Sequence, residues 1–200
     1  IQGAQRFAEA LSRNGRGQQA APMLREAWRS APPADAPAET AFVERHAQIL
    51  TADDHWRRFD RLVWDNQAGA ASRLLPRLDA SRRAAAEARL ALRGDREPDG
   101  AARIRDLGVF YERARLLRRR DRDAEAAAIW ASAEPLQAGI SAEAARAIWA
   151  ERQILARKLL RLGDPQAAYR VAAQHGQAQP GEPRQEAEFL AGFLSLIHIS

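Results

Sequence analysis

The 200-residue chain contains no cysteine, a single methionine and a single lysine, and aromatic residues make up only 6% of it. Without cysteine there is no disulfide framework and no thiolate-ligated metal, which fits a reducing compartment or an exported protein that does without bridges. No apolar run approaches the roughly 20 residues a membrane-spanning helix needs. No basic-then-apolar leader precedes the first helix either. The chain starts at Ile1 rather than Met, in what reads as mid-helix, so an export signal is expected upstream.

With Lys158 the only lysine, arginine carries almost all the positive charge, and the formal net charge is +5. The arginines alternate with Asp and Glu along most of the chain. That is the pattern of solvated helix faces, not of a basic stripe for nucleic acid. Apolar residues, at 46%, are enough for a continuous core. Much of that fraction is alanine, which lets helices approach closely with five Trp and six Phe as spacers, so stacked hairpins are favoured over one thick core.

Five times a leucine-bearing helix end runs into a polar break, with an Ala-Ala pair seven to nine residues beyond the leucine. The copies are Leu11 to Ala20-Ala21, Leu62 to Ala70-Ala71, Leu92 to Ala101-Ala102, Leu117 to Ala126-Ala127 and Leu160 to Ala167-Ala168. A lone hairpin cannot bury its apolar face, so a recurring helix–turn–helix signature implies stacking. The expected fold is an all-α superhelical solenoid of antiparallel helical hairpins, tetratricopeptide-like.

Local signals place the boundaries. A break at Asn14-Gly15-Arg16-Gly17 separates helices over Gln5–Leu11 and Ala20–Trp28, and three prolines in Ser30–Pro37 mark a loop. Helices are expected over Ala38–Leu50, over Trp56–Trp64 after a cap at Thr51, over Gln67–Leu74 and over Ser81–Leu92 closed by Gly94. In Ile104–Arg120, Leu107, Phe110, Ala114 and Leu117 fall on one helical face. Ile148, Leu155, Leu159 and Leu162 repeat that stripe with Arg152 among them, read as an arginine snorkelling at a seam. Leu162-Gly163-Asp164-Pro165 combines a C-terminal glycine, an N-cap and a first-turn proline, and so predicts a tight hairpin. A Gln/Pro/Gly-rich linker after His175-Gly176 leads to a last helix from about Arg184.

The chemistry-bearing residues are few. Asp53-Asp54-His55 sits at a predicted helix start, where acidic residues cap, so it is not read as a base or metal site. His46, His175 and His198 show no ligand spacing, and Asn14-Gly-Arg-Gly17 lacks the Lys-Ser/Thr of a phosphate loop. No catalytic residue, cofactor site or metal ligand is assigned. The densest basic run, Arg118, Arg119, Arg120 and Arg122, is the candidate contact for an anionic partner such as a nucleic-acid backbone, set against a solvated helix end that complements the dipole. Of Trp56, Trp64, Trp130 and Trp149, at least three are expected in the core, not as sugar-stacking platforms.

Several segments, in order and spacing from about Trp56 to Phe193, carry a resemblance. They are Leu74-Leu-Pro-Arg-Leu-Asp79, Ala86-Glu-Ala-Arg-Leu-Ala-Leu-Arg93, Tyr111-Glu-Arg-Ala-Arg115 with Asp123-Ala-Glu-Ala-Ala127, Glu151-Arg-Gln-Ile-Leu-Ala-Arg157, Ala168-Tyr-Arg-Val-Ala-Ala-Gln-His-Gly176 and Glu186-Ala-Glu-Phe-Leu-Ala-Gly192. Together they resemble the α-superhelical region of bacterial soluble lytic murein transglycosylases. The resemblance implies a curved or ring-shaped scaffold over residues 1–193, a periplasmic location, and peptidoglycan glycan strands and a downstream lysozyme-like domain as partners. The parent enzyme would cleave glycan strands to 1,6-anhydromuramyl products. The family's Glu-Ser pair and Gly-Leu-Met-Gln motif are absent from these residues, so this chain is expected to be inactive alone. Residues 194–200 resemble a translated sequencing adapter and are expected to be an artefactual tail. The alternative is a free-standing adaptor solenoid that binds a protein or peptide.

Overall fold

The computed structural model describes residues 3, 6, 17–133, 136–137, 139–178 and 180–199. Leu11 and the break expected at residues 14–16 lie outside them. The described residues form ten α-helices and two 3-10 turns, with no strand. The chain divides into two compact units, residues 1–87 and 88–200.

The first unit holds α1 (Gly17–Ser30), α2 (Ala36–Arg45), α3 (Ala52–Trp64), α4 (Ala68–Ser72), a 3-10 turn (Leu75–Arg77) and the start of α5 (Ala80–Arg93). Helix α1 packs on α3, and α3 on α4. Trp28 and Phe42 stack at 5.5 Å between ring centres, inside a core completed by Leu24, Phe59, Leu62 and Leu74. Each fully buried side chain of this size contributes about 1.5–3 kcal/mol. Helix α2 ends at Arg45, earlier than the expected Leu50. A turn follows in which the Ile49 carbonyl accepts from Arg25 at 2.9 Å, and Leu50 is buried.

The second unit contains a 3-10 turn (Ala101–Arg103), α6 (Leu107–Arg119), α7 (Asp123–Ala133), α8 (Ala142–Arg161), α9 (Pro165–Ala173) and α10 (Glu182–Ile199). Helix α6 packs on α7 and α8, α7 on α8 and α9, α8 on α9 and α10, and α9 on α10. The third Leu-to-Ala-Ala copy does not give a second helix. Gly100, at φ +80°, turns the chain into Ala101–Arg103, which closes only one 3-10 turn.

The helix ends that follow the recurring leucines share one backbone closure. Four helices end with a left-handed residue, namely Asn66, Asp95, Asp121 and Gly163 at φ 61°, 62°, 57° and 82°. In each, the next N–H reaches back five residues, to the carbonyls of Leu62, Ala91, Leu117 and Leu159 at 2.7–3.0 Å. This is the Schellman closure, which satisfies carbonyls the helix leaves open. After Leu92 the left-handed position is Asp95, not Gly94, since a short polar side chain also tolerates that conformation. The following starts are capped as well: Asp106, Ser141 and Asp164 accept from the N–H groups of Val109, Ala144 and Ala167 at 2.9, 3.2 and 2.8 Å. Each such cap stabilises by about 1 kcal/mol. Leu194 is buried, and α10 runs on through Ile199.

Candidate functional site

The arginine run surrounds the turn from α6 to α7, and its members point to different partners. Arg118 makes a two-pronged ion pair with buried Glu151 of α8. Arg119 pairs with Asp95 at 2.7 Å, Arg120 donates to the Asp95 carbonyl at 2.6 Å, and Arg122 pairs with Glu125 at 2.6 Å. The hydrogen bonds Arg118 donates to Glu151 outweigh burial and push its guanidinium above the ordinary arginine range. Lys158 of α8 ties the same turn through Asp121 and Asp123 at 2.6 and 2.9 Å. An anion arriving here would compete with carboxylates already in place.

Arg152 does not snorkel. It is fully buried, lies 4.6 Å over the Trp130 ring and donates to the carbonyls of Val171 at 2.9 Å and Trp130 at 3.4 Å. Both carbonyls belong to last helical turns, where partial negative charge collects and intrahelical donors run out. The first unit repeats the device. Buried Arg58 of α3 lies 4.3 Å over the Trp28 ring and donates to the carbonyls of Trp28 at 2.6 Å and Ala31 at 2.9 Å. One turn further on, Arg61 donates to the carbonyls of Arg29 and Ala31. Arg58 also meets Glu39 at 2.5 Å, and Arg73 holds the other Glu39 oxygen at 2.7 Å. A third buried arginine, Arg89, lies against Gly108, where any Cβ would collide with its guanidinium.

Fewer of the named tryptophans are in the core than expected. Trp130 and Trp149 are buried, but Trp56 and Trp64 are half-buried. Trp56 stacks on Phe59 at 5.5 Å, and the Arg82 guanidinium sits 6.0 Å over its ring. The indole N–H of Trp149 donates to Glu186 at 3.2 Å.

Asp54 forms a capping box with Thr51 and an ion pair with Arg29. Burial pushes the Asp54 carboxyl up, but hydrogen bonds from Thr51 and Arg29 outweigh it and hold it below its ordinary 3.8. Glu39 behaves likewise: burial opposes, the Arg58 and Arg73 hydrogen bonds win, and it stays below 4.5. His55 accepts from the Trp28 indole N–H at 3.2 Å. Burial and then the Arg77 charge keep it below 6.5. Among the described residues no group of three His, Asp or Glu converges as metal ligands.

A cleft of about 500 Å³ opens beside the start of α8, between the segment before that helix and the linker after α9. Gln137, Ile140, Gly176, Gln177, Pro180 and Pro183 are among its lining residues. Gln177 donates through its side-chain amide to the Ala145 carbonyl at 2.6 Å, and its backbone N–H donates to Nδ1 of His175 at 3.0 Å. Gln137 is 9% exposed, and its Oε1 is buried without a hydrogen-bond partner. Such an acceptor costs about 1–3 kcal/mol. Gly176, at φ +69°, allows this packing, because a Cβ there would lie 2.5 Å from that oxygen. The residues after Gly176 read in the sequence as a linker, and Gln137 and Ile140 carry no signal there. The local features are the positive-φ glycines Gly139 and Gly176, on either side of the two capped helices α8 and α9.

No protein-family model, no curated protein and no solved structure matches the chain.

Proposed function

We propose that the chain is a non-catalytic helical scaffold region of a periplasmic peptidoglycan lytic transglycosylase, with its hairpins stacked as a tetratricopeptide-like solenoid. The ordered segments from about Trp56 to Phe193 that resemble that family carry this reading, and the use of the carboxylates fits its non-catalytic part. Cleaving a glycosidic bond requires a carboxylic acid held protonated by a raised pKa. Here the buried glutamates serve as ionic ties between helices. Glu39 faces Arg58 and Arg73, Glu112 faces Arg93 and Arg115, and Glu151 faces Arg118. Among the described residues, every carboxyl group displaced from its ordinary range is displaced downward, as for Glu39, Asp54, Asp121, Glu125 and Glu143.

Supporting it further is the sequence of helix packings in the second unit, where α6 lies on α8 and α8 on α10. In the parent protein the scaffold would keep a glycan strand close to a downstream lysozyme-like domain. The purified chain, incubated with murein sacculi, is expected to release no 1,6-anhydromuropeptides detectable by mass spectrometry. Their appearance would overturn the proposal.

A second reading, an adaptor solenoid for a protein or peptide, is favoured by one feature. Helix α10 exposes Phe189, Phe193 and Leu196 at helical spacing, a face of the kind a partner helix covers. That reading predicts no association with sacculi.

A further inference from the structure

We infer that the cleft beside α8 is a binding site for a neutral saccharide. Its volume of about 500 Å³ lies within the range of small-molecule sites. Its lining selects against charge. Among the described lining residues Arg146 is the one ionisable group, and it is paired with Glu143 at 3.2 Å on the same helix. An anion would find only that exposed, already paired guanidinium, and among the described lining residues a cation would find no carboxylate.

The groups that remain are amides and apolar walls. Gln137 holds a buried acceptor with no donor, which a ligand hydroxyl supplies once the amide turns about its soft terminal torsion. Gln177 is anchored by its bond to Ala145, so its amide oxygen is held in a fixed place. Ile140, Pro180 and Pro183 offer flat aliphatic surface to the C–H face of a sugar ring. Gly176 belongs to the same design, since a Cβ there would occupy the space against the Gln137 oxygen.

The lining gives the ligand class. Only the choice of N-acetylglucosamine units as probe rests on the cell-wall reading. The test is calorimetric titration of the 200-residue chain with the soluble trimer of N-acetylglucosamine, with a Kd of about 1 mM or tighter expected. Gln137→Leu removes the acceptor and Ala142→Leu fills the cleft from an exposed position at the start of α8. Each should weaken binding at least about tenfold. The Ala142→Leu melting curve should match that of the parent chain, so that a folding defect is separated from a filled site.

Absence of trimer binding, or binding that neither variant changes, overturns the inference. Sedimentation with sacculi separates the two claims. If the chain pellets with sacculi but does not bind the trimer, the cleft fails and the scaffold reading survives. If the trimer binds in a variant-sensitive way but sacculi do not retain the chain, the cleft stands and the cell-wall reading fails.

Discussion

Both units bury an arginine against a tryptophan, at 4.3 Å for Arg58 over Trp28 and 4.6 Å for Arg152 over Trp130, yet they employ it differently. Arg58 works at one helix end: its carbonyl partners Trp28, Ala31 and Pro32 all lie at or just beyond the end of α1, and Glu39 adds a full negative charge. Arg152 joins two helix ends, taking Trp130 from α7 and Val171 from α9. A buried guanidinium needs its donors satisfied, and helix C-termini supply concentrated acceptors without requiring a second buried charge. In the first unit the arginine caps, and in the second it fastens. Both roles suit a scaffold whose alanine-rich helices have little side-chain volume with which to hold their spacing.

The largest effect is expected from removing the rings. Trp28→Ala and Trp130→Ala should each lower stability by about 3–5 kcal/mol in chemical denaturation. A large loss in one unit alone would show that the two stacks are not equivalent.

Next is Glu39→Gln, which leaves Arg58 and Arg73 facing a neutral amide in a buried setting and should cost about 3 kcal/mol. A neutral outcome would mean that the carbonyls at the end of α1 suffice, making the first unit like the second. Gly108→Ala forces Arg89 aside and should cost about 1–3 kcal/mol, read from the same curves.

Acid should weaken both units through their histidines. His55 and His175 are each held below 6.5, chiefly by burial. As pH falls below 6.5 the unfolded chain takes up protons that the folded chain refuses, so stability drops. Glu39 and Asp54, held below 4.5 and 3.8, add a further loss as pH falls past those values, in the first unit. His55→Gln should flatten the upper part of that profile. At the bottom of the scale, Arg122→Ala breaks an exposed pair with Glu125 and should leave the melting curve unchanged.

What was legible in the sequence was local. The helix class, the Leu162–Pro165 turn and the cap at Thr51 each depend on residues within one or two turns of each other, and the structure has them where the pattern placed them. The leucine signature was legible as a pattern, but the backbone closure shared by the helix ends it marks emerges only from the hydrogen bonds. Arg152 was misread because a charge within an apolar stripe normally reaches water. Its acceptors come from positions 22 and 19 residues away, which no local window contains. The cleft was missed for the same reason, since Gln137 and Gly176 meet only through the packing of the second unit.

Sedimentation of the purified chain with murein sacculi bears most directly on the scaffold proposal. A scaffold region should pellet with the sacculi, and soluble trimer of N-acetylglucosamine should release part of it. A chain that remains in the supernatant at low and moderate salt would contradict the cell-wall role and leave the adaptor reading in its place.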